Sequence, residues 1–284
     1  EVIHFIGIGG IGMALAYVEN ERRVRSLNFS GMAPNSAMPD IFTQATKNDG
    51  ILASLVPGNL AGWLTLHNTY GSMDIERLFL PAIDYAENGF PLTFHAVENI
   101  KRTQHLLHPF PASSSIILGS DRRVPVPGTL LKQPGLAESL RLISKDGMET
   151  FYKGELASKI VNANRSLGGL LTEEDMWEYE ADWQEPINIV YRGYEVFTTP
   201  PNCSSFQVLQ TLKLMEQFEP HELSYQHPDT VHSLIEGIKL CVADRIKYAG
   251  DPEYIYAPIN GLLSESYAHK QATRLEFDVA SVVE

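Results

Sequence analysis

The stretch Val56-Pro57-Gly58-Asn59-Leu60-Ala61-Gly62-Trp63 is the most informative segment of this chain of 284 residues. It turns at Pro57-Gly58 and continues with apolar residues at helical spacing, such as Leu60 and Leu64, up to Gly71. Side chains four positions apart share one face of an α-helix, and glycine commonly ends a helix. We therefore predict a helix that begins just after Pro57-Gly58.

The residues upstream of this segment are typical of strands. Apolar runs at residues 13–18 and 24–29 flank a polar turn, which predicts a β-hairpin. A shorter apolar run at residues 2–6 leads into the glycine-rich stretch 7–12. We expect this run to be a strand as well.

The residues downstream are mainly helical in pattern. Apolar periodicity predicts helices over residues 75–88, 93–107, 136–145, 154–164 and 229–248, with a helix start at Thr172. A further helix follows Pro200-Pro201, and its spacing predicts that Gln207, Gln210 and Lys213 face solvent. Residues 108–134 contain five prolines and predict an irregular excursion. Residues 187–191 and 194–198 form a second predicted hairpin, so strands bracket a helical middle in an α+β protein.

Composition excludes several classes of function. Lysine and arginine total 22 against 35 aspartate and glutamate, and the formal net charge is −13. Nucleic acids and anionic lipids attract clustered cations, so neither is expected as a partner. The longest apolar runs hold about six residues, whereas a membrane span needs about 20, so we expect no span. The two cysteines, Cys203 and Cys241, leave the compartment open, and we expect a cytoplasmic location.

The motif Gly7-x-Gly9-x-x-Gly12 has the spacing of a dinucleotide-binding loop. Such a loop needs a helix directly after it and an acidic residue about 20 positions later, because the helix N-terminus holds the pyrophosphate. The sequence after Gly12 supports neither requirement, and no P-loop pattern occurs. The alternative is a tight backbone crossing within a sheet.

No complete catalytic set is present in the sequence. There is no HExxH zinc motif and no GxSxG nucleophile elbow. Cys203 precedes a predicted helix, where it is either a small turn residue or an activated thiolate. We expect the turn residue, and we expect neither a metal nor a cofactor.

Eight short stretches, taken in order, resemble the large subunit of the gamma-glutamyltranspeptidase family of N-terminal nucleophile hydrolases. They start at the glycine loop and end beyond the last long helix: Gly7-Ile8-Gly9-Gly10, Asn28-Phe29-Ser30-Gly31-Met32-Ala33-Pro34, Val56 to Trp63, Leu80-Pro81-Ala82-Ile83 with Asn88-Gly89-Phe90, Phe151-Tyr152-Lys153-Gly154-Glu155-Leu156-Ala157, Gly168-Gly169-Leu170-Leu171-Thr172, Pro200-Pro201-Asn202, and Ala243-Asp244-Arg245 with Gly250-Asp251-Pro252.

This resemblance implies an α+β fold, a four-layer αββα sandwich, of which residues 1–284 are a single large-subunit segment with a helix-rich middle. A precursor of this kind cuts itself, and the new N-terminal Thr of the small subunit becomes the nucleophile, with its own amino group as general base. No catalytic residue is then expected in this chain. The resemblance also implies that the loop at residues 7–12 is a buried strand connection. We further expect that an N-terminal part is missing and that the chain ends about where a large subunit ends.

One departure from the family pattern concerns the substrate. Glutamyl-transferring members carry Asp-Phe-Arg-Glu where this sequence has Asn28-Phe29-Ser30-Gly31. In those members the arginine binds the α-carboxylate of the substrate through two charge-assisted hydrogen bonds. A serine hydroxyl has neither the charge nor the two-pronged geometry to replace it. The sequence is therefore more similar to the oxamate amidohydrolase and transferase-like branch. We predict that Asn28, Ser30 and Gly31 line the pocket for a small amide or gamma-glutamyl substrate, the alternative being that they form only a β-bulge.

Two other functions stay open at this point. The first is a nucleotide-dependent ligase or dehydrogenase that uses the loop from Gly7 to Gly12. The second is a catalytically inactive scaffold that keeps the family fold in order to bind a partner.

Overall fold

The computed structural model describes residues 7–219, 227–276 and 279–280. The predicted strand at residues 2–6 lies outside this range. The described strands are β1 (Gly12–Val18), β2 (Arg23–Phe29), β3 (Phe90–Pro91), β4 (Leu130–Leu131), β5 (Asp182–Gln184), β6 (Ile187–Tyr191) and β7 (Tyr194–Thr198).

Helices account for most of the regular structure in the described chain. They are α1 (Asn59–Tyr70), α2 (Ile75–Asn88), α3 (Phe94–Leu107), α4 (Pro111–Leu118), α5 (Pro134–Asp146), α6 (Glu149–Tyr152), α7 (Glu155–Ser166), α8 (Glu173–Glu178), α9 (Phe206–Met215), α10 (Pro228–Tyr248), α11 (Ile259–Leu262) and α12 (Glu265–Ala272). Two short 3-10 helices cover Pro39–Ile41 and Ile51–Ala53. The mixture of helix and sheet confirms the predicted α+β class.

The chain divides into two compact units. The first contains Glu1–Gly12 and Phe29–Ala181, and the second contains Met13–Asn28 and Asp182–Glu284. Each unit is therefore built from two separate stretches of sequence.

The first unit is organised around helix α1. This helix begins at Asn59 and ends before Gly71, as predicted. Its buried face packs into the largest apolar cluster described for the unit, together with residues of α5, α6, α7 and α8 and of the turns beside them: Val56, Leu60, Ala61, Leu64, Ile143, Phe151, Tyr152, Leu156, Ala157, Val161, Leu171, Met176 and Tyr179. Removing this apolar surface from water stabilises the unit at roughly 25 cal/mol per Å².

Local capping confirms several predicted helix starts. Helix α3 starts after Thr93, whose hydroxyl accepts a hydrogen bond from the backbone N–H of Ala96. Helix α8 starts after Thr172, which forms a reciprocal capping box with Asp175. These side chains satisfy N–H groups that the first turn of a helix leaves unpaired.

The prediction for residues 108–134 is wrong in part. This region contains helix α4 and strand β4, and β4 pairs with β3 in antiparallel orientation. Pro111 occupies the first turn of α4, where the missing proline N–H costs nothing. The proline-rich composition therefore starts a helix here instead of preventing one.

The second unit contains two small groups of strands. The described sheet has the order β1-β2-β5, and the first two of these strands confirm the predicted hairpin. Strands β6 and β7 pair as the second predicted hairpin, from Ile187 opposite Thr198 to Tyr191 opposite Tyr194. Their turn places Arg192 and Gly193 at positive φ, of 49° and 86°. Two positive φ angles match the twist of a two-residue hairpin turn.

The predicted solvent face of α9 is wrong at two of its three positions. Gln207 is partly exposed, but Gln210 and Lys213 are buried, with exposed fractions of 3% and 8%. The Lys213 ammonium donates to Glu216 at 2.9 Å and to Glu265 at 2.8 Å. Burial opposes the charged ammonium, but these two carboxylates outweigh it and raise the pKa of Lys213. Spacing alone cannot reveal ion partners that lie on other elements.

Helix α10 begins one residue before the predicted start at 229. The side chain of His227 caps it by accepting from the backbone N–H of Asp229. Within the helix, Glu236 is buried and ion-paired with Lys239 at 2.9 Å. None of the described helices is both long enough and apolar enough to cross a membrane.

Asp244, in the Ala243-Asp244-Arg245 motif, connects three helices of the second unit. Its carboxylate accepts from the hydroxyl of Tyr267 on α12, at 2.9 and 3.0 Å, and from the side-chain amide of Gln210 on α9. The aspartate of this motif therefore has a structural role in this chain, because its hydrogen bonds link α10 to α9 and to α12.

Candidate functional site

Three of the family-like stretches meet in one set of turns in the first unit. The carbonyl oxygen of Gly10 accepts from the backbone N–H groups of Gly58 and Asn59, both at 2.9 Å. The side-chain amide of Asn59 donates to the carbonyl oxygen of Gly7 at 2.8 Å, and Val56 N–H donates to Met32 at 2.9 Å. The glycine loop, the turn at Ser30-Gly31 and the turn before α1 are thus joined by backbone hydrogen bonds. We call these residues, 7–10, 30–32 and 56–59, the turn cluster.

Two glycines of the turn cluster leave no room for a side chain. Gly31 has a φ of +77°, and a Cβ atom there would lie 2.6 Å from the carbonyl oxygen of Val56. A Cβ on Gly58 would overlap the carbonyl oxygen of Phe29 and come within 2.5 Å of the Tyr179 hydroxyl. Glycine tolerates the positive φ of Gly31 without steric cost. Gly58 has an ordinary φ of −100°, and it requires glycine because the neighbouring atoms leave no space for a Cβ.

Two stacked tyrosines form hydrogen bonds with backbone groups of the turn cluster. The Tyr152 hydroxyl donates to the carbonyl oxygen of Pro57 at 2.6 Å, and the Tyr179 hydroxyl accepts from the N–H of Gly31 at 3.3 Å. The ring centroids are 5.9 Å apart. Burial raises the pKa of both phenols. Both hydroxyls therefore stay protonated at neutral pH, and their hydrogen bonds hold the backbone of the cluster in place.

The predicted substrate residues fall on either side of the boundary between the units. Ser30 and Gly31 belong to the first unit, where both are half-buried. Asn28 belongs to the second unit and ends strand β2 opposite Asp182 of β5. Its side-chain amide donates to the side-chain oxygen of Asn202 at 3.2 Å.

The β-bulge alternative is not seen where β2 pairs with β5. Ser26, Leu27 and Asn28 face Gln184, Trp183 and Asp182 one for one. A bulge would place two residues opposite one. Ser30 and Gly31 lie beyond the end of the strand, which stops at Phe29.

The sequence did not indicate Asn202 as a neighbour of Asn28. This contact joins residues far apart in sequence, and an Asn-Asn hydrogen bond leaves no pattern in the chain. The next residue, Cys203, lies just before α9, as a turn residue would. Burial opposes ionisation of its thiol, but hydrogen bonds from Ser205 and Thr199 outweigh it, and the pKa is lowered.

The nucleotide-binding alternative does not fit the glycine loop. Gly12 begins a strand, β1, where a pyrophosphate site needs the N-terminus of a helix. The loop is also not the buried connection that was expected, since Gly7 and Gly9 are exposed. Within the described ranges, no group of three or more His, Cys, Asp or Glu side chains is placed to hold a metal ion.

Comparison with known proteins agrees with this geometry. The sequence model of the family described as gamma-glutamyltranspeptidase matches residues 2–281. A glutathione hydrolase-like YwrD proenzyme from Bacillus subtilis is 30% identical over 277 residues, which is 96% of this chain and 53% of that protein. The chain spans about half the length of the curated relatives it matches.

Solved structures show the same likeness. The crystal structure of Helicobacter pylori gamma-glutamyltranspeptidase matches with a TM-score of 0.92 and 29% identity, over 96% of this chain and 80% of that chain. A cephalosporin acylase from Bacillus halodurans matches with a TM-score of 0.86 and 31% identity, over 95% of this chain and 52% of that chain. These matches confirm the predicted N-terminal nucleophile hydrolase fold class.

Proposed function

The chain belongs to the gamma-glutamyltranspeptidase family, and on that basis we propose that it is the large-subunit portion of a self-processing amide hydrolase or acyltransferase. The matched relatives are named proenzymes, and this chain spans about half of their length. This supports a partner small subunit cut from the same precursor. We propose that residues 1–284 act as one large-subunit segment, and its cytoplasmic location stays a prediction.

The proposed reaction divides the work between the two subunits. The N-terminal Thr of the small subunit attacks the amide carbonyl, its own amino group takes the hydroxyl proton, and backbone N–H groups stabilise the oxyanion. The C–N bond of the amide then breaks, the leaving amine takes the proton from the Thr amino group, and an acyl ester on the Thr oxygen remains. Water or an acceptor amine attacks this ester, which releases the acyl group and restores the Thr hydroxyl. This chain contributes the binding residues Asn28, Ser30 and Gly31.

The observation that carries the choice of substrate is the neutral character of these binding residues. Asn28 presents an amide bonded to Asn202, and Ser30 presents a hydroxyl where glutamyl-transferring relatives have an arginine. Neutral hydrogen-bonding groups therefore stand where those relatives have an arginine that would form an ion pair with the α-carboxylate of the substrate. This supports an acyl amide or oxamate-like substrate over glutathione.

The test is expression of the full precursor followed by mass spectrometry of the mature protein. We expect two chains, the smaller one starting at Thr, with amidase activity that is lost when this Thr is replaced by Ala. A precursor that stays in one piece and cleaves no amide would instead favour the inactive scaffold.

A further inference from the structure

A groove of about 920 Å³ opens in the first unit beside helix α7. Sites for small molecules have volumes of about 300 to 1,000 Å³ and are mainly apolar with few polar groups. The lining of this groove fits that description, since most of its side chains are aliphatic, including Ile8, Ile11, Leu55, Leu156, Ile160 and Leu167.

The groove reaches the turn that holds the predicted substrate residues. A Cβ atom built on Gly31 would lie 2.8 Å from Cγ2 of Ile11 and 3.4 Å from Cβ of Leu55. Both of these side chains line the groove. Ile11 and Leu55 therefore lie both in the lining of the groove and next to Gly31, so the groove is close to the predicted substrate turn.

Among the described side chains that line the groove, Lys159 is the charged one. Its ammonium lies 2.6 Å from Glu155, and both side chains are more than half exposed. An exposed ion pair is weak, so a carboxylate on a ligand can compete with Glu155 for this ammonium. Beside Lys159, a ligand carboxylate is therefore favoured over a ligand ammonium.

One wall of the groove can adjust its position. Ile51, Ala53 and Leu55 belong to the segment 38–55, and every hydrogen bond described for this segment joins two of its own residues. No residue from 35 to 55 is buried. Segments with few buried contacts open at low free-energy cost. The width of the groove can therefore change with its contents.

We propose that this groove binds the aliphatic acyl chain of the substrate, and that a carboxylate on this chain pairs with Lys159. The proposal rests on the proposed amidase function and names the acyl group that this function would use. Each methylene that leaves water should raise affinity about three- to fourfold.

The test uses the mature two-chain enzyme and two tryptophan variants on the same helix. Ala163→Trp fills the groove, whereas Asn162 is exposed and does not line it, so Asn162→Trp is the matched control. Binding is measured as fluorescence of cis-parinaric acid and its displacement by octanoate. We expect Ala163→Trp to lose at least tenfold in probe affinity and Asn162→Trp to behave as wild type.

Turnover of acyl p-nitroanilides gives an independent measurement. We expect kcat/KM to rise from acetyl to octanoyl in the wild type and in Asn162→Trp, and to stay flat in Ala163→Trp. Lys159→Glu should reverse a preference for adipoyl over 6-aminohexanoyl anilide. If Ala163→Trp does not fold, Leu167→Asp places a charge in the groove at a position that is 44% exposed.

The outcomes separate this proposal from the proposed function. Probe binding that depends on residue 163, without turnover of any amide, supports the groove and contradicts the amidase. The proposal for the groove is overturned if turnover does not depend on acyl length, or if the probe binds equally to both tryptophan variants. The proposal is also overturned if the probe does not bind to the wild type, a result that would mean that residues of the mature enzyme occupy the groove.

Discussion

The hydroxyl of Tyr152 lies between the turn at Pro57 and the first turn of helix α1. It donates to the carbonyl oxygen of Pro57 at 2.6 Å and accepts from the N–H of Ala61 at 3.2 Å. The residue before this helix, Gly58, has no side chain that could accept from Ala61. A tyrosine from α6 therefore performs the capping that sequence neighbours usually provide.

Tyr152→Phe should lower the free energy of unfolding by about 1 to 3 kcal/mol, because it leaves two buried backbone groups without a partner. The measurement is urea unfolding, with an unchanged m-value expected. Tyr85 is exposed, so Tyr85→Phe is the control and should have almost no effect. Equal stabilities of the two variants would contradict the capping role.

Gly31→Ala should destabilise the protein more than Gly128→Ala does. Both glycines have positive φ, 77° and 88°, but only Gly31 has a backbone oxygen where the Cβ would lie. Gly128 has open space around it. We expect about 1 kcal/mol from backbone strain at Gly128 and a clearly larger loss at Gly31, measured by thermal unfolding. Similar losses would mean that the turn cluster relaxes around the new methyl group.

Ser30→Arg together with Asn28→Asp should raise turnover of a gamma-glutamyl anilide in the processed enzyme. The arginine restores a two-pronged partner for the substrate carboxylate, a contact of about 1.5 to 3 kcal/mol. Asn28→Asp alone replaces the amide that donates to Asn202 with a carboxylate, so that variant should lose stability without gaining activity. An unchanged rate in a folded double variant would show that these residues do not line the pocket.

Stability should fall at alkaline pH, in part through Tyr267. Burial and the hydrogen bond to Asp244 raise the pKa of Tyr267 to about 12. The unfolded phenol titrates near 10, so its stabilising contribution is complete below about pH 10 and is lost as pH rises toward 12. Unfolding of wild type and Tyr267→Phe should be compared at pH 9, 10.5 and 11.5. The variant should show the shallower decline, and parallel declines would contradict this role.

Regular patterns in the sequence were sufficient to predict elements whose partners are local. The bounds of α2 and of the hairpin β6–β7 follow from periodicity and from Gly89 and Arg192-Gly193, which act through the backbone. The patterns failed where distant residues decide the outcome. The sequence pattern predicts that Lys213 faces solvent, whereas in the structure it is buried and pairs with Glu265 on another helix.

The site shows the same division between local and distant effects. The family-like motif singled out Ser30 and Gly31 as pocket residues, but it did not predict the positive φ of Gly31. The hydrogen bonds from Tyr152 and Tyr179 could not be predicted either, because each spans about 100 residues of chain or more and ends on a backbone group, which is the same in every residue.

The pairing of Asn28 with Asp182 also has a consequence for the order of folding. These strands, β2 and β5, are separated by about 150 residues, most of which form the first unit. Closing so long a loop is entropically costly, and long-range pairing slows folding. The hairpin β6–β7 closes through a two-residue turn, on a timescale of about microseconds. During synthesis, the hairpin β1–β2 can pair early, but β5 cannot join it until residues 29–181 of the first unit have all been made.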